Sequence, residues 1–372
     1  MVIVASVLFA QASVAFTTIS LTSEVALPAR SMPRRAPLTK IRASGTASVP
    51  GDSPEDVPAT EVSVDAASSS IPKSTFNLAK NIMGAGAISL PGSITALGDV
   101  KGAIFPALGI LIIMGILSAC TFSIIGLECE RYGASSFEEV WAKTIGEKSI
   151  WVISSSVAIT TVLACLAYSM IIGDLVSALA VSAGATGLLA KRSASILGVT
   201  GAVVAPLCFL KSLASLSFTS LLGVFGVVFS TAVMGLRYFD GSYLAPAAKG
   251  AAGGRYFAEL SKTMKPAFGT VSGGWKLDHM AFLVLSCLGT AFLAHFNAPT
   301  FYANLERRDT KRFNRVVAYG FGTSMLVFAG MMAFGFGTFG AATLGNVFVN
   351  YASSDLLATL CRVAIVFSIT FT

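Results

Sequence analysis

An apolar stretch interrupted in its middle limits what this chain can fold into more than any other feature. Residues 76–91, FNLAKNIMGAGAISLP, run on to Leu97, long enough for the roughly 20 helical residues that cross a bilayer. Yet Gly84-Ala85-Gly86 sits at the centre and Pro91-Gly92 follows. A helix that only anchors gains nothing from residues that unwind it, because each backbone group freed in lipid costs several kcal/mol. Broken helices persist at membrane depth where the loosened N–H and C=O groups line a cavity or meet a bound solute. A small-residue break in an early span therefore predicts a solute pathway.

Composition puts that break in a membrane protein. Hydrophobic residues make up 54% of the 372 and charged residues only 12%, against about 25% charged in a soluble domain. From residue 73 onward about eight apolar stretches follow one another, at approximately 75–98, 103–127, 150–172, 193–210, 217–236, 279–303, 314–339 and 355–372. Their lengths fit an all-α, multi-pass chain and exclude a barrel, whose strands alternate over about ten residues. The net charge of +7 does not argue for nucleic acid. The basic residues lie in a tail and in loops between spans, where anionic headgroups and membrane orientation account for them, so the lipid bilayer is the expected partner. The six cysteines fall in or beside apolar stretches without a CxxC pair, as packing residues do. With only two histidines and no HExxH, paired acid or Walker motif, neither an enzyme, a metal site nor a resident cofactor is predicted.

Residues 1–72 differ from everything after them. Met1 to Phe16 is a short apolar run ending in small residues, too short to span and similar to a signal-peptide core and cleavage site. The segment that follows is rich in Ser, Thr, Ala and Pro, and its first half carries Arg30, Arg34, Arg35, Lys40 and Arg42 against Glu24 alone. That chemistry predicts a targeting leader, with ASVAF resembling the bipartite plastid leader of algae with complex plastids. A disordered tail is the plainer alternative, and a vacuolar or plasma membrane is then the destination.

A second interruption lies in residues 279–303. Gly289-Thr290 is followed by Ala294-His295-Phe296-Asn297-Ala298-Pro299. Proline lacks a donor and clashes with the preceding turn, so a kink with freed carbonyls is expected there. His295 and Asn297 are polar at mid-membrane depth, where such groups usually face the bundle interior; a helix-to-helix hydrogen bond is the alternative use of His295. The interrupted spans are the first and the sixth, the corresponding members of two five-helix halves. The charge run ERRDTKRFNR, Glu306 to Arg315, is expected in the cytoplasm, with the chain's N-terminus on the same side.

Four stretches together resemble the amino acid/auxin permease family, which includes the system A and system N carriers and vacuolar amino acid transporters. They are FNLAKNIMGAGAISLP; PLCFLKSLASLSFTSLLG from Pro206 to Gly223; FLAHFNAPTFYANLE from Phe292 to Glu306; and RVAIVFSITFT from Arg362 to Thr372. The resemblance covers about residues 74–372. It implies a five-plus-five inverted repeat like that of the leucine transporter, and secondary transport of amino acids, neutral ones foremost, coupled to protons or sodium. The fold it implies needs ten helices and this chain shows about eight, so the repeat is expected to be truncated in this sequence. A transporter-derived sensor and a nonfunctional fragment are the alternative functions.

The site then follows. A zwitterion needs partners for both charges. Amides of Gly84, Ala85 and Gly86, at the start of a half-helix, suit the carboxylate. Carbonyls near Thr290 and Ala294 suit the ammonium, with His295 and Asn297 beside them and Tyr168 of the third span resembling a gate. For the coupling ion the resemblance points to Lys80, Met83 and Thr370. The relatives often carry Asn where Lys80 stands, four residues before the first glycine of the break. A lysine ammonium there replaces the cation's charge, and loss of its proton vacates the site. The alternative is a lysine that snorkels to the interface. Asn304 also departs from the pattern, standing where many relatives have Glu.

Overall fold

The computed structural model describes residues 69–188, 190–208, 217–246, 253–270 and 274–370. The leader expected over residues 1–72 falls outside them up to residue 68, as does part of the signature from Pro206 to Gly223. Among the described residues the chain is helical, with two isolated bridges, Ser69 to Leu305 and Ala267 to Gly340, where strands would pair.

Among the described residues five helices are long and apolar enough to cross a membrane: Lys101–Tyr132, Glu147–Ser182, Leu221–Phe239, Ala281–Ala303 and Thr310–Phe339. Two shorter apolar helices, Arg192–Val204 and Leu356–Thr370, occupy two more of the expected stretches. The first expected span is no single helix. It is α1 (Ile71–Ile82), a 3-10 turn (Ala85–Ser89), one α-turn (Leu90–Ser93) and a further 3-10 turn (Ile94–Ala96). The remaining long elements are α2 (Ile104–Tyr132), α3 (Phe137–Thr144), α4 (Ile150–Ser182), α5 (Arg192–Val199), α6 (Ser217–Phe239), α7 (Ala281–Ala291), α8 (Ala298–Ala303), α9 (Thr310–Phe339) and α10 (Leu356–Thr370).

Helix α9 is the hub and packs on α1, α2 and α6. In lipid, apolar faces gain little by meeting each other, so close packing and small residues set the contacts. Gly320 lets Leu78 of α1 approach, Gly126 of α2 receives Phe313, and Gly335 receives Pro91 from beyond the first break. Around these contacts Phe122, Phe292, Phe313, Phe321 and Phe328 form a ring cluster, with Phe122 stacked on Phe313 at 5.7 Å and Phe292 on Phe321 at 6.1 Å. Helix α4, by contrast, exposes Trp151, Ile159, Val162 and Leu166, as a face turned to lipid requires.

The two ends of the bundle are tied differently. At one end Ser69 N–H donates to the Asn304 carbonyl at 2.9 Å, and Glu306 N–H returns to the Ser69 carbonyl at 3.1 Å. The start of the first span and the loop after the sixth therefore share a side, as the charge reading expects. At the other end described residues of the connection from α6 to α7 are bonded to the ends of neighbouring elements. Gly269 N–H reaches the Asp99 carbonyl at 3.0 Å, Lys276 N–H the Leu97 carbonyl at 2.8 Å, and Ala267 N–H the Phe339 carbonyl at 3.1 Å. There Arg237 holds the fully buried Asp355 with two bonds of 2.9 and 2.7 Å, and Tyr243 donates to the same carboxylate at 2.9 Å. Asp355 also accepts from the Leu357 and Ala358 amides at the start of α10. Burial, with that carboxylate beside it, pushes the Tyr243 phenol up, so it remains a donor.

Candidate functional site

The first break is built by its glycines. Helix α1 ends when the Met83 amide reaches back to Ala79 at 2.8 Å, and Gly84 turns extended at φ −80° and ψ −156°. The Gly84 N–H is then engaged by the Ile82 carbonyl at 2.8 Å, so of the three expected amides it is already in use. Ala85 and Gly86 open the following 3-10 turn, where the leading amides have no carbonyl one turn back. Ser89 Oγ donates to the Gly86 carbonyl at 2.9 Å and steadies the unwound turn.

The second break starts before the proline. Helix α7 stops at Ala291, Ala294 leaves helical geometry at φ −129°, and a 3-10 turn, His295–Asn297, leads into α8. Pro299 sits in the first turn of α8. There its missing N–H costs nothing and its fixed φ suits helix initiation. The proline starts the second half-helix instead of kinking a continuous one.

The two breaks meet. A β-carbon on Gly86 would lie 2.8 Å from Cα of Ala291 and 3.2 Å from its Cβ. Asn297 Nδ2 donates to Asn81 Oδ1 at 3.2 Å, joining the 3-10 turn of the sixth span to the last turn of α1. Helix α4, which carries the half-buried Tyr168, also touches the first-break turn.

The other expected residues are used locally. Thr290 is exposed and its hydroxyl donates to the Ser286 carbonyl at 3.0 Å, while its own carbonyl receives the Leu293 amide at 3.3 Å. The buried Ala294 gives its carbonyl to the Asn297 amide at 3.0 Å. His295 points to the second span: Nε2 lies 2.8 Å from Thr121 Oγ1 and 3.1 Å from the Ser118 carbonyl, with Phe122 edge-on at 5.8 Å. It fastens the sixth span to α2.

Lys80 is buried in the last turn of α1, where the carbonyl end of the half-helix favours positive charge. A β-carbon on Gly223 of α6 would meet Lys80 Cε at 3.4 Å and Ser368 Oγ of α10 at 3.1 Å. The first, fifth and eighth spans therefore converge on the lysine. Thr370 donates to the Val366 carbonyl of its own helix at 2.8 Å, and Ser368 Oγ approaches Gly223 together with Lys80 Cε. Asn81, Gly223 and Ser368 were not singled out from sequence. Asn81 carried a signal of the same kind as Asn297, a carboxamide beside a break.

The family model for "Transmembrane amino acid transporter protein" matches residues 67–372. The "Putative sodium-coupled neutral amino acid transporter 11" of Danio rerio is 25% identical over 302 residues, 79% of this chain and 60% of that protein. "Amino acid transporter AVT6E" of Arabidopsis thaliana is 26% identical over 74% of this chain and 53% of its own length. "Vacuolar amino acid transporter 5" of Schizosaccharomyces pombe is 25% identical over 80% and 65%. No solved structure matches. The chain thus spans 53 to 65% of the length of these three relatives. The match from residue 67 onward, with a multi-pass helical body broken twice, places the chain in the transmembrane amino acid transporter protein family.

Proposed function

We propose that this chain is the membrane body of a secondary amino acid carrier that works by alternating access. The observation that supports it best is the joint between the two breaks, with Gly86 against Ala291 and Asn81 bonded to Asn297. Amides at Ala85 and Gly86 would take the carboxylate of a neutral amino acid, and backbone carbonyls at the sixth-span break would take its ammonium. Tyr168 would close over the solute. In this reading residues 73–372 supply the first eight spans of a five-plus-five inverted repeat. Lys80, with Ser368 and Gly223 beside it, would carry the coupling charge in place of sodium, and Met83 would lend a carbonyl. The test is uptake of labelled alanine by the protein in proteoliposomes. Saturable uptake above that of empty liposomes is expected. None for alanine or any other neutral amino acid would refute the proposal.

Residues 1–72 are proposed as a leader to a plastid membrane. A fluorescent fusion of residues 1–75 should enter plastids, and a diffuse cytosolic signal would overturn that assignment.

A further inference from the structure

At the joint between the breaks the Asn81 amide is enclosed and without a partner, as is Nδ1 of His295, whose ring is otherwise held by α2. The bond from Asn297 Nδ2 uses the oxygen end of the Asn81 carboxamide. The other end, Asn81 Nδ2, is shut off from solvent and makes no hydrogen bond. A carboxamide NH2 has two protons to donate and accepts nothing, so an apolar neighbour or a cation cannot satisfy it. Unpartnered enclosed donors are rare in native proteins and call for an explanation. Lys80, the preceding residue, is turned toward Gly223 and Ser368, which leaves the Asn81 amide at the break itself, three residues before Gly84.

We propose that Asn81 and Asn297 form a reading pair for the transported solute. Asn81 Nδ2 donates to an oxygen of the amino acid, and Asn297 is the positioning residue that fixes the orientation of the Asn81 amide by holding its oxygen. The inference rests on the carrier reading above. Its ligand chemistry is an acceptor oxygen, from either the α-carboxylate or a side-chain carbonyl. Because Asn297 offers the donor that holds Oδ1, changing it to an acceptor would let the Asn81 amide turn and donate to the new carboxylate. That would consume the very group meant for the solute.

The experiment measures alanine uptake by the reconstituted protein and its inhibition by alanine methyl ester, glutamine and leucine. Asn81→Asp keeps the shape and the oxygen that Asn297 holds but removes the donor. The KM should rise about tenfold to a hundredfold, the range of a hydrogen bond to a charged group, while the maximal rate changes little. Asn297→Asp should move KM in the same direction by capturing the donor. A lower preference for alanine over its methyl ester in Asn81→Asp would assign the contact to the α-carboxylate. A lower preference for glutamine over leucine would assign it to a side-chain carbonyl. If Asn81→Asp does not fold, Asn297→Asp carries the same test. A folded variant with wild-type KM and both preferences unchanged would overturn the pair while leaving the carrier reading intact. No uptake by the wild-type protein would overturn both.

Discussion

Gly86→Leu is expected to abolish amino acid uptake and to cut the yield of folded protein. A side chain there would fill the space a substrate backbone needs. The structure adds a second cost. A β-carbon at Gly86 would sit 2.8 Å from Cα of Ala291, and a helix backbone cannot swing aside as a flexible side chain does. Even Gly86→Ala forces the two breaks apart, and overpacking of this kind costs about 1–3 kcal/mol; leucine adds three more carbons at the same point. Gly84→Leu separates the two effects if it folds more readily and still blocks transport. Uptake in proteoliposomes, with size-exclusion profiles of the detergent-solubilised variants, checks both. Near-normal uptake by Gly86→Leu would remove the first break from the solute path.

Lys80→Asn should change what drives the carrier. The wild-type protein is expected to ignore sodium and to take up alanine down an inward proton gradient. The lysine is buried at the carbonyl end of α1, with Gly223 and Ser368 pressed against its path, so its proton would serve as the coupled charge. Asparagine supplies an oxygen and no charge. The variant should lose the response to the proton gradient or gain a requirement for sodium. If the wild type needs sodium and Lys80→Asn behaves identically, Lys80 is an interface anchor. Ser368→Ala serves as a companion, because its hydroxyl and Lys80 Cε both approach Gly223.

Both breaks could be located from sequence because glycines and a proline inside an apolar run have few other uses in lipid. What they do to each other could not. Nothing in a linear pattern says that Gly86 rests on Ala291, since that contact depends on how α7 crosses the unwound turn. Pro299 was readable as an interruption, but its role as a helix starter depended on the chain leaving helical geometry several residues earlier, at Ala294. His295 was legible as a buried polar group with two uses, and its partners on α2, Thr121 and Ser118, come from a span that carries no break. On α10 the hydroxyl that approaches Gly223 together with Lys80 is that of Ser368, while the Thr370 hydroxyl donates to the Val366 carbonyl of its own helix. Asn81 stands next to Lys80 in the last turn of α1, and nothing in the linear pattern says which of the two polar side chains meets the sixth span. The first span, expected over residues 75–98 with a break at its centre, is a chain of short helical pieces, the physical consequence of the same glycines.

In the carrier proposed above, the joint between the first and sixth spans holds the solute. Thr290 lies in the last turn of α7, exposed, next to the Ala291 that meets Gly86. The direct measurement places a single cysteine there, Thr290→Cys, in a protein whose six native cysteines are replaced by serine. Its rate of modification by a small thiol-reactive reagent is then followed as alanine is added. Protection should be saturable, half-complete near the KM for uptake, and absent with a solute that is not transported. A modification rate that stays constant at saturating alanine, in a variant that still transports, would place the solute away from this joint and contradict the account.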